Sequence, residues 1–193
     1  MAEVIAETAR LRLREWGEAD EAPFYDIMNT PAVMRWLGGV QSREEWNAGF
    51  RRLSSYQREH GHTFWLVERS SDGAILGFCG LKRANAPGGE SIAGEVEIGW
   101  RLREDAWGQG LAKEAAIAAL DFAFGPLAAP RVVAITAVGN APSQGLMKRL
   151  GMSRREDLDF VDRRYPADSE ANPQVVFVIE AAGWPAARAA ALA

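Results

Sequence analysis

The chain has 193 residues, 48% of them hydrophobic and 25% charged. These proportions suit one soluble globular domain with a real core, and they exclude disordered and collagen-like readings. A lone cysteine, Cys79, and two histidines, His60 and His62, exclude a disulfide framework and a multi-cysteine metal site, so metal-free chemistry is expected. The net charge of −4 gives no general attraction to nucleic acid. No window approaches the roughly 20 apolar residues of a membrane span, and Met1–Arg10 lacks a leader pattern, so no nucleic-acid or membrane partner and a cytoplasmic location are expected.

Along the chain, Ala9–Trp16 alternates Leu11 and Leu13 with Arg10, Arg12 and Arg14, which predicts a first strand with one buried face. Asp20 opens a helical stretch, and Pro31 starts a short turn carrying Val33, Met34, Trp36 and Leu37. Ser42 and Glu45 form a capping box before a helix that runs to about His60. Thr63–Glu68 and Ala74–Leu81 read as strands of a hairpin turned at Ser70-Ser71-Asp72-Gly73. Asn85–Ala93 is a loop, and Gly94–Leu102 is the fourth strand. Leu111, Ala115, Ala119 and Phe122 form the buried face of a helix ended by Gly125-Pro126. Arg131–Val138 is the fifth strand, Asn140–Leu150 a helix closed by Gly151, and Val175–Ile179 the last strand. The sheet is mixed, with no linker and no repeat, so residues 1–193 read as a single domain in which Ala181–Ala193 is a loosely attached tail.

Gly108 and Gly110 stand out in this order because they fall at the mouth of a helix, between it and a strand. A helix N-terminus carries unpaired amides and positive potential, so bare backbone there can seat an anionic phosphate. The same glycines would equally serve a tight turn that binds nothing. A Rossmann site wants G-x-G-x-x-G and a P-loop wants Gly-Lys-Ser/Thr; the chain has neither. Gly99, inside the fourth strand, marks a bulge or a close approach by backbone or ligand.

Glu97-Ile98-Gly99-Trp100-Arg101-Leu102, then Ala106-Trp107-Gly108-Gln109-Gly110-Leu111-Ala112-Lys113-Glu114-Ala115, then Asn140-Ala141-Pro142-Ser143 leading to Met147-Lys148-Arg149-Leu150-Gly151-Met152, resemble the GNAT acetyltransferase superfamily in order and spacing. Glu7–Arg14 and Pro31–Gly38 make the sequence most similar to its RimJ/RimL-like branch of ribosomal-protein N-terminal acetyltransferases. The resemblance covers nearly the whole chain. It implies an α/β fold with a mixed, mostly antiparallel sheet, splayed between the fourth and fifth strands and flanked by helices. It also implies acetyl-CoA as co-substrate, its pantetheine arm between those strands and its pyrophosphate on amides of Trp107, Gly108, Gln109, Gly110, Leu111, Ala112 and Lys113. Trp107 departs from the family's Gln/Arg at the first position of that motif.

The implied reaction moves acetyl from a thioester to a primary amine by direct attack, which needs a neutral amine, donors for an oxyanion and a proton for the thiolate. Backbone amides of Ile98, Gly99 and Trp100 would supply donors, and Glu97 is the candidate base. Glu95 shares its side of a regular strand and is the reserve. Many family members place a tyrosine acid at the position of Met147, which donates no proton. Asn140 and Ser143 would contact the pantetheine or thiol, although both also suit the cap and first turn of a helix. Trp36 and Trp100, with Glu95, are candidates for the acceptor site, and the loop from Tyr165 to Pro173 could border it. Trp65 reads as core, and Cys79 as inert packing rather than an acetylated nucleophile. The leading acceptor is a peptide or protein N-terminus. A polyamine, aminoglycoside or amino acid, and a non-catalytic acyl-CoA sensor, are the alternatives, and a monomer or homodimer is expected.

Overall fold

Leu11 and Leu13 are fully buried on a strand, as their alternation predicts, but in the computed structural model, which describes residues 2–193, that strand is the second. β1 (Val4–Glu7) precedes β2 (Leu11–Arg14) and pairs with it antiparallel. Its residues run exposed, half-buried, half-buried, exposed, so no period-two contrast announces it. The chain continues through α1 (Glu21–Met28), the single turn α2 (Pro31–Met34) and α3 (Arg43–His60). It then forms β3 (Phe64–Arg69), β4 (Ile75–Arg83), β5 (Val96–Leu102) and α4 (Leu111–Phe124). Last come β6 (Arg131–Ala137), α5 (Ala141–Arg149), β7 (Ser153–Arg154), β8 (Gln174–Glu180) and α6 (Trp184–Leu192).

The strands form one eight-stranded sheet in the order β1-β2-β3-β4-β5-β6-β8-β7. β5 and β6 run parallel, while the pairs β1–β2, β2–β3, β3–β4, β6–β8 and β7–β8 are antiparallel, so the fold is the mixed, mostly antiparallel sheet with flanking helices that the resemblance implies. β1 shifts the count, so the strands expected as fourth and fifth are β5 and β6. Their parallel ladder consists of Val96↔Val132 and Glu97↔Val133.

Two compact units make up the chain. One holds the residues up to Arg35, Gly39–Lys82 and Gly99–Ala119. Its core includes Leu11, Leu13, Trp65, Leu66, Cys79 and Leu81, all at most 1% exposed. Ser42 and Glu45 close the predicted capping box on α3, and Gly61 ends that helix in the left-handed conformation. Arg14 bridges Asp20 at 2.7 Å and Glu68 at 2.9 Å, fastening the start of α1 to the strands.

The other unit holds Trp36–Gly38, Arg83–Ile98 and Leu120–Ala193. β6 and β8 pair over seven residues from Arg131↔Glu180 to Ala137↔Gln174, and Val133, Val176 and Val178 pack with Ala84, Ala86, Ile92 and Phe160. The segment expected as a plain loop, Asn85–Ala93, thus contributes Ile92 to the core through a short 3-10 turn. The expectation of a loose tail is corrected. Trp184 is buried and its indole donates to Asp121 Oδ1 at 2.9 Å, Arg188 pairs with the same carboxylate, and Gly151 makes room for Ala187, so α6 is docked. Alanine-rich composition resembles a tail, but one buried tryptophan anchors the helix.

Candidate active site

In the first unit, the predicted anion seat is the turn from β5 into α4. Gly108 at φ +72° and Gly110 at φ +77° both occupy the left-handed region, so backbone shape alone demands glycine there. Nothing lies within 4 Å of where a Gly108 Cβ would stand, so the turn is open above its amides. Trp107 donates its indole N–H to the Leu102 carbonyl at 2.7 Å, and the Gln109 side-chain amide donates to the Asp105 carbonyl at 2.5 Å. Both side chains therefore fold back on the base of the turn. Leu111 is buried, while Ala112 and Lys113 continue the first turn of α4 half-buried.

Arg10 was not singled out from sequence, yet it reaches this turn. Its Nη1 donates to the Gln109 carbonyl at 3.0 Å and its Nε to Glu114 Oε2 at 2.7 Å, while Thr8 Oγ1 donates to Glu114 Oε1 at 2.6 Å. Partial burial pushes the Glu114 pKa up, but the hydrogen bonds from Thr8 and Arg10 outweigh it and hold the carboxylate below its ordinary range. Further back on β5, a Gly99 Cβ would stand 2.8 Å from the Phe64 ring, so what approaches this glycine is an aromatic side chain rather than the backbone or ligand expected from sequence. Phe64 stacks on Phe78 at 5.1 Å, and the Arg101 guanidinium lies 4.8 Å from the Phe78 ring. Strand alternation sends Trp100 to the face opposite Gly99 and Arg101.

In the second unit, Glu97 is half-buried, and its Oε2 is enclosed. Arg164 lies within its electrostatic reach. The Arg164 pKa is raised first by hydrogen bonds to Asp162, then by the charges of Asp162, Tyr165 and Glu97. Asp162, 1% exposed, accepts from Arg164 Nε at 3.0 Å and from Nη2 at 2.5 Å. The Tyr165 ring packs 3.0 Å from where a Gly38 Cβ would be, and Trp36 packs 2.8 Å from the corresponding point on Gly139. Trp36 thereby stands beside Asn140. Asn140 caps α5, accepting from the Ser143 N–H at 3.4 Å while its amide donates to Thr136 Oγ1 at 3.0 Å, and half-buried Ser143 sits in the first turn. Met147 is buried, so nothing on α5 replaces the expected tyrosine by side-chain chemistry at that position. Glu95 lies just before β5, and its carboxylate is held by Arg131 at 2.7 Å.

The structure therefore brings Trp36 against the turn that carries Asn140 and Ser143, leaves Glu97 within the electrostatic reach of Arg164, and engages Glu95 with Arg131. Asp162 and Arg164 carry no sequence signal, because the run Asp162-Arg163-Arg164-Tyr165 has no helical or strand period and the loop expected to border the acceptor begins only at Tyr165. Burial raises the Cys79 thiol far above its ordinary pKa, which leaves it a poor nucleophile. Among the described residues, no group of three or more His, Cys, Asp or Glu could hold a metal ion, and no helix is long and apolar enough to cross a membrane.

Known proteins resemble this chain in sequence and fold. Bacillus subtilis YkkB is 28% identical over 146 residues, which is 75% of this chain and 83% of that protein. An acetyltransferase from Agrobacterium tumefaciens superposes with a TM-score of 0.72 at 25% identity, covering 91% of this chain and 93% of that one. RimL, a ribosomal alpha-N-protein acetyltransferase, superposes with a TM-score of 0.69 over 93% of this chain and 95% of its own, but at 16% identity that likeness shows the fold alone. Residues 10–153 match the acetyltransferase (GNAT) domain, and with the glycine turn, β5 and the Asn140 turn all inside that span, the chain belongs to the GNAT acetyltransferases.

Proposed function

We propose that the chain is an acetyl-CoA-dependent N-acetyltransferase, residues 1–193 acting as one domain, and that it acetylates a primary amine by direct attack. The observation that carries this reading is the open, left-handed glycine turn at the N-terminus of α4. Bare amides, an open approach at Gly108 and an arginine tied to the Gln109 carbonyl suit a pyrophosphate. When bound, acetyl-CoA supplies an activated acyl group. The amides from Gly108 to Lys113 would hold its phosphates, the Trp107 N–H being given to the Glu104 carbonyl at 3.1 Å, and those of Ile98, Gly99 and Trp100 would donate to the acetyl oxygen. Asn140 and Ser143 contact the arm near the sulfur.

Glu97 accepts the proton that the amine must lose, directly or through a water, as the C–N bond forms and the C–S bond breaks. The departing thiolate takes a proton from solvent, with the Ser143 hydroxyl donating a hydrogen bond to the sulfur and Met147 having no proton to give. The deeply buried, high-pKa Cys79 thiol favours direct attack over an acetylated cysteine. The RimJ/RimL-like resemblance suggests a protein or peptide N-terminus as acceptor, and a small-molecule amine, amino acids among them, is the alternative. Release of CoA thiol from acetyl-CoA by the purified protein tests the reading. Release that depends on added amine supports it, whereas acetyl-CoA binding with no amine-dependent release from peptides, polyamines, aminoglycosides or amino acids means a sensor.

A further inference from the structure

We propose that the acceptor is a small amine bearing its own carboxylate, such as an amino acid, with Arg164 receiving the carboxylate while Glu97 receives the amine; this rests on the acetyltransferase reading and narrows its substrate. Asp162 is 1% exposed, and the Arg164 side chain beside it is 50% exposed. Burying a carboxylate to grip an arginine that stays half in solvent is costly if packing is the only purpose. The grip is also built. Asp162 engages Nε and Nη2, so Nη1 lies outside the pair. Asn172, itself buried, fixes the loop by accepting from the Asp162 N–H at 2.9 Å and donating to the carbonyls of Asp162 at 3.1 Å and Pro166 at 3.0 Å.

Glu97 pairs with Val133, and Val133 with Val178, so the three side chains share the sheet face on which Phe160 packs, and Arg164 follows four residues later on the same loop. An oriented guanidinium edge on the loop that packs against the sheet face of a candidate base, within its electrostatic reach, matches a ligand with a negative and an amino end. A polyamine offers Arg164 only repulsion, and a peptide N-terminus offers it no fixed charge.

The test compares CoA-thiol release with matched acceptors, each α-, β- or γ-amino acid against its carboxamide, alongside a polyamine and peptide amides. A free acid is expected to exceed its amide by about 10- to 100-fold in kcat/KM, chiefly through KM. In Arg164→Gln, checked for folding by circular dichroism, that ratio falls toward one. The wild-type ratio stands on its own should the variant fail to fold. Equal use of acid and amide, preference for the polyamine or peptide amides, or a ratio unchanged in folded Arg164→Gln overturns the inference and leaves the acetyltransferase reading intact. No release with any amine overturns both.

Discussion

Gly110 serves two demands at once, a backbone at φ +77° and bare backbone beside the amides proposed to seat the phosphates, with Arg10 Nη2 3.6 Å from where a Cβ would stand, and substitution can separate them. Gly110→Ala meets only the strain of the left-handed region, on the order of 1 kcal/mol. Gly110→Asp adds a negative charge where the phosphates are proposed to sit, and is expected to weaken acetyl-CoA binding by about 100-fold or more. Calorimetry of both variants decides: equal losses would mean that the glycine serves shape alone. Glu97→Gln removes the proposed proton acceptor and is expected to lower kcat about 100-fold with acetyl-CoA affinity unchanged. A pH–rate profile identical to wild type would move the base elsewhere. Both positions were legible from sequence, because glycine at a helix mouth and glutamate in a patterned strand are local signals. Arg10 and Arg164 were not, because their roles come from Glu114 and Asp162 holding them in place.

Elements differ in how much their own sequence specifies them. α3 carries its capping box and terminal glycine within itself, and its predicted start and end agree with the structure. β5 depends instead on what lies against it. Gly77 on β4, at φ +146°, leaves only 2.0 Å between a would-be Cβ and the Arg101 carbonyl oxygen on β5. Gly77→Ala is expected to cost about 3 kcal/mol or more in a denaturant titration, since backbone rather than a movable side chain blocks the methyl group. α6 likewise hangs on one residue. Trp184→Ala is expected to cost about 3 kcal/mol or more and to open the helix to limited proteolysis, whereas wild-type resistance in the variant would show that Asp121 and Arg188 suffice.

At the scale of the molecule, carboxylates spread over both units titrate below their ordinary values. Hydrogen bonds from Ser42 lower Glu45, those from Arg69 lower Asp72, Arg163 lowers Glu90, and Arg155 lowers Asp157, while Glu114 is lowered against the effect of its own burial. Each group binds its proton less readily folded than unfolded, so its contribution is present above the unfolded values of 3.8 for aspartate and 4.5 for glutamate and is lost as the pH falls through the lowered ones. The denaturation midpoint is therefore expected to hold from pH 7 to about 5 and fall below that. Because most of these pairs are exposed, roughly 0.5 M salt should flatten the fall, and a midpoint that rises on acidification would contradict the assignment. The sequence by itself determined the α/β class, most helices and central strands, the glycine turn and the acetyltransferase motifs, all carried by residues a few positions apart whose periodicity, caps and punctuation act locally. Only the tertiary structure decided the edge strands β1 and β7, the docking of α6 and the Asp162 grip on Arg164. An edge strand is defined by its neighbour, and the Asp162 grip by burial of a carboxylate that exists only once the chain has closed around it.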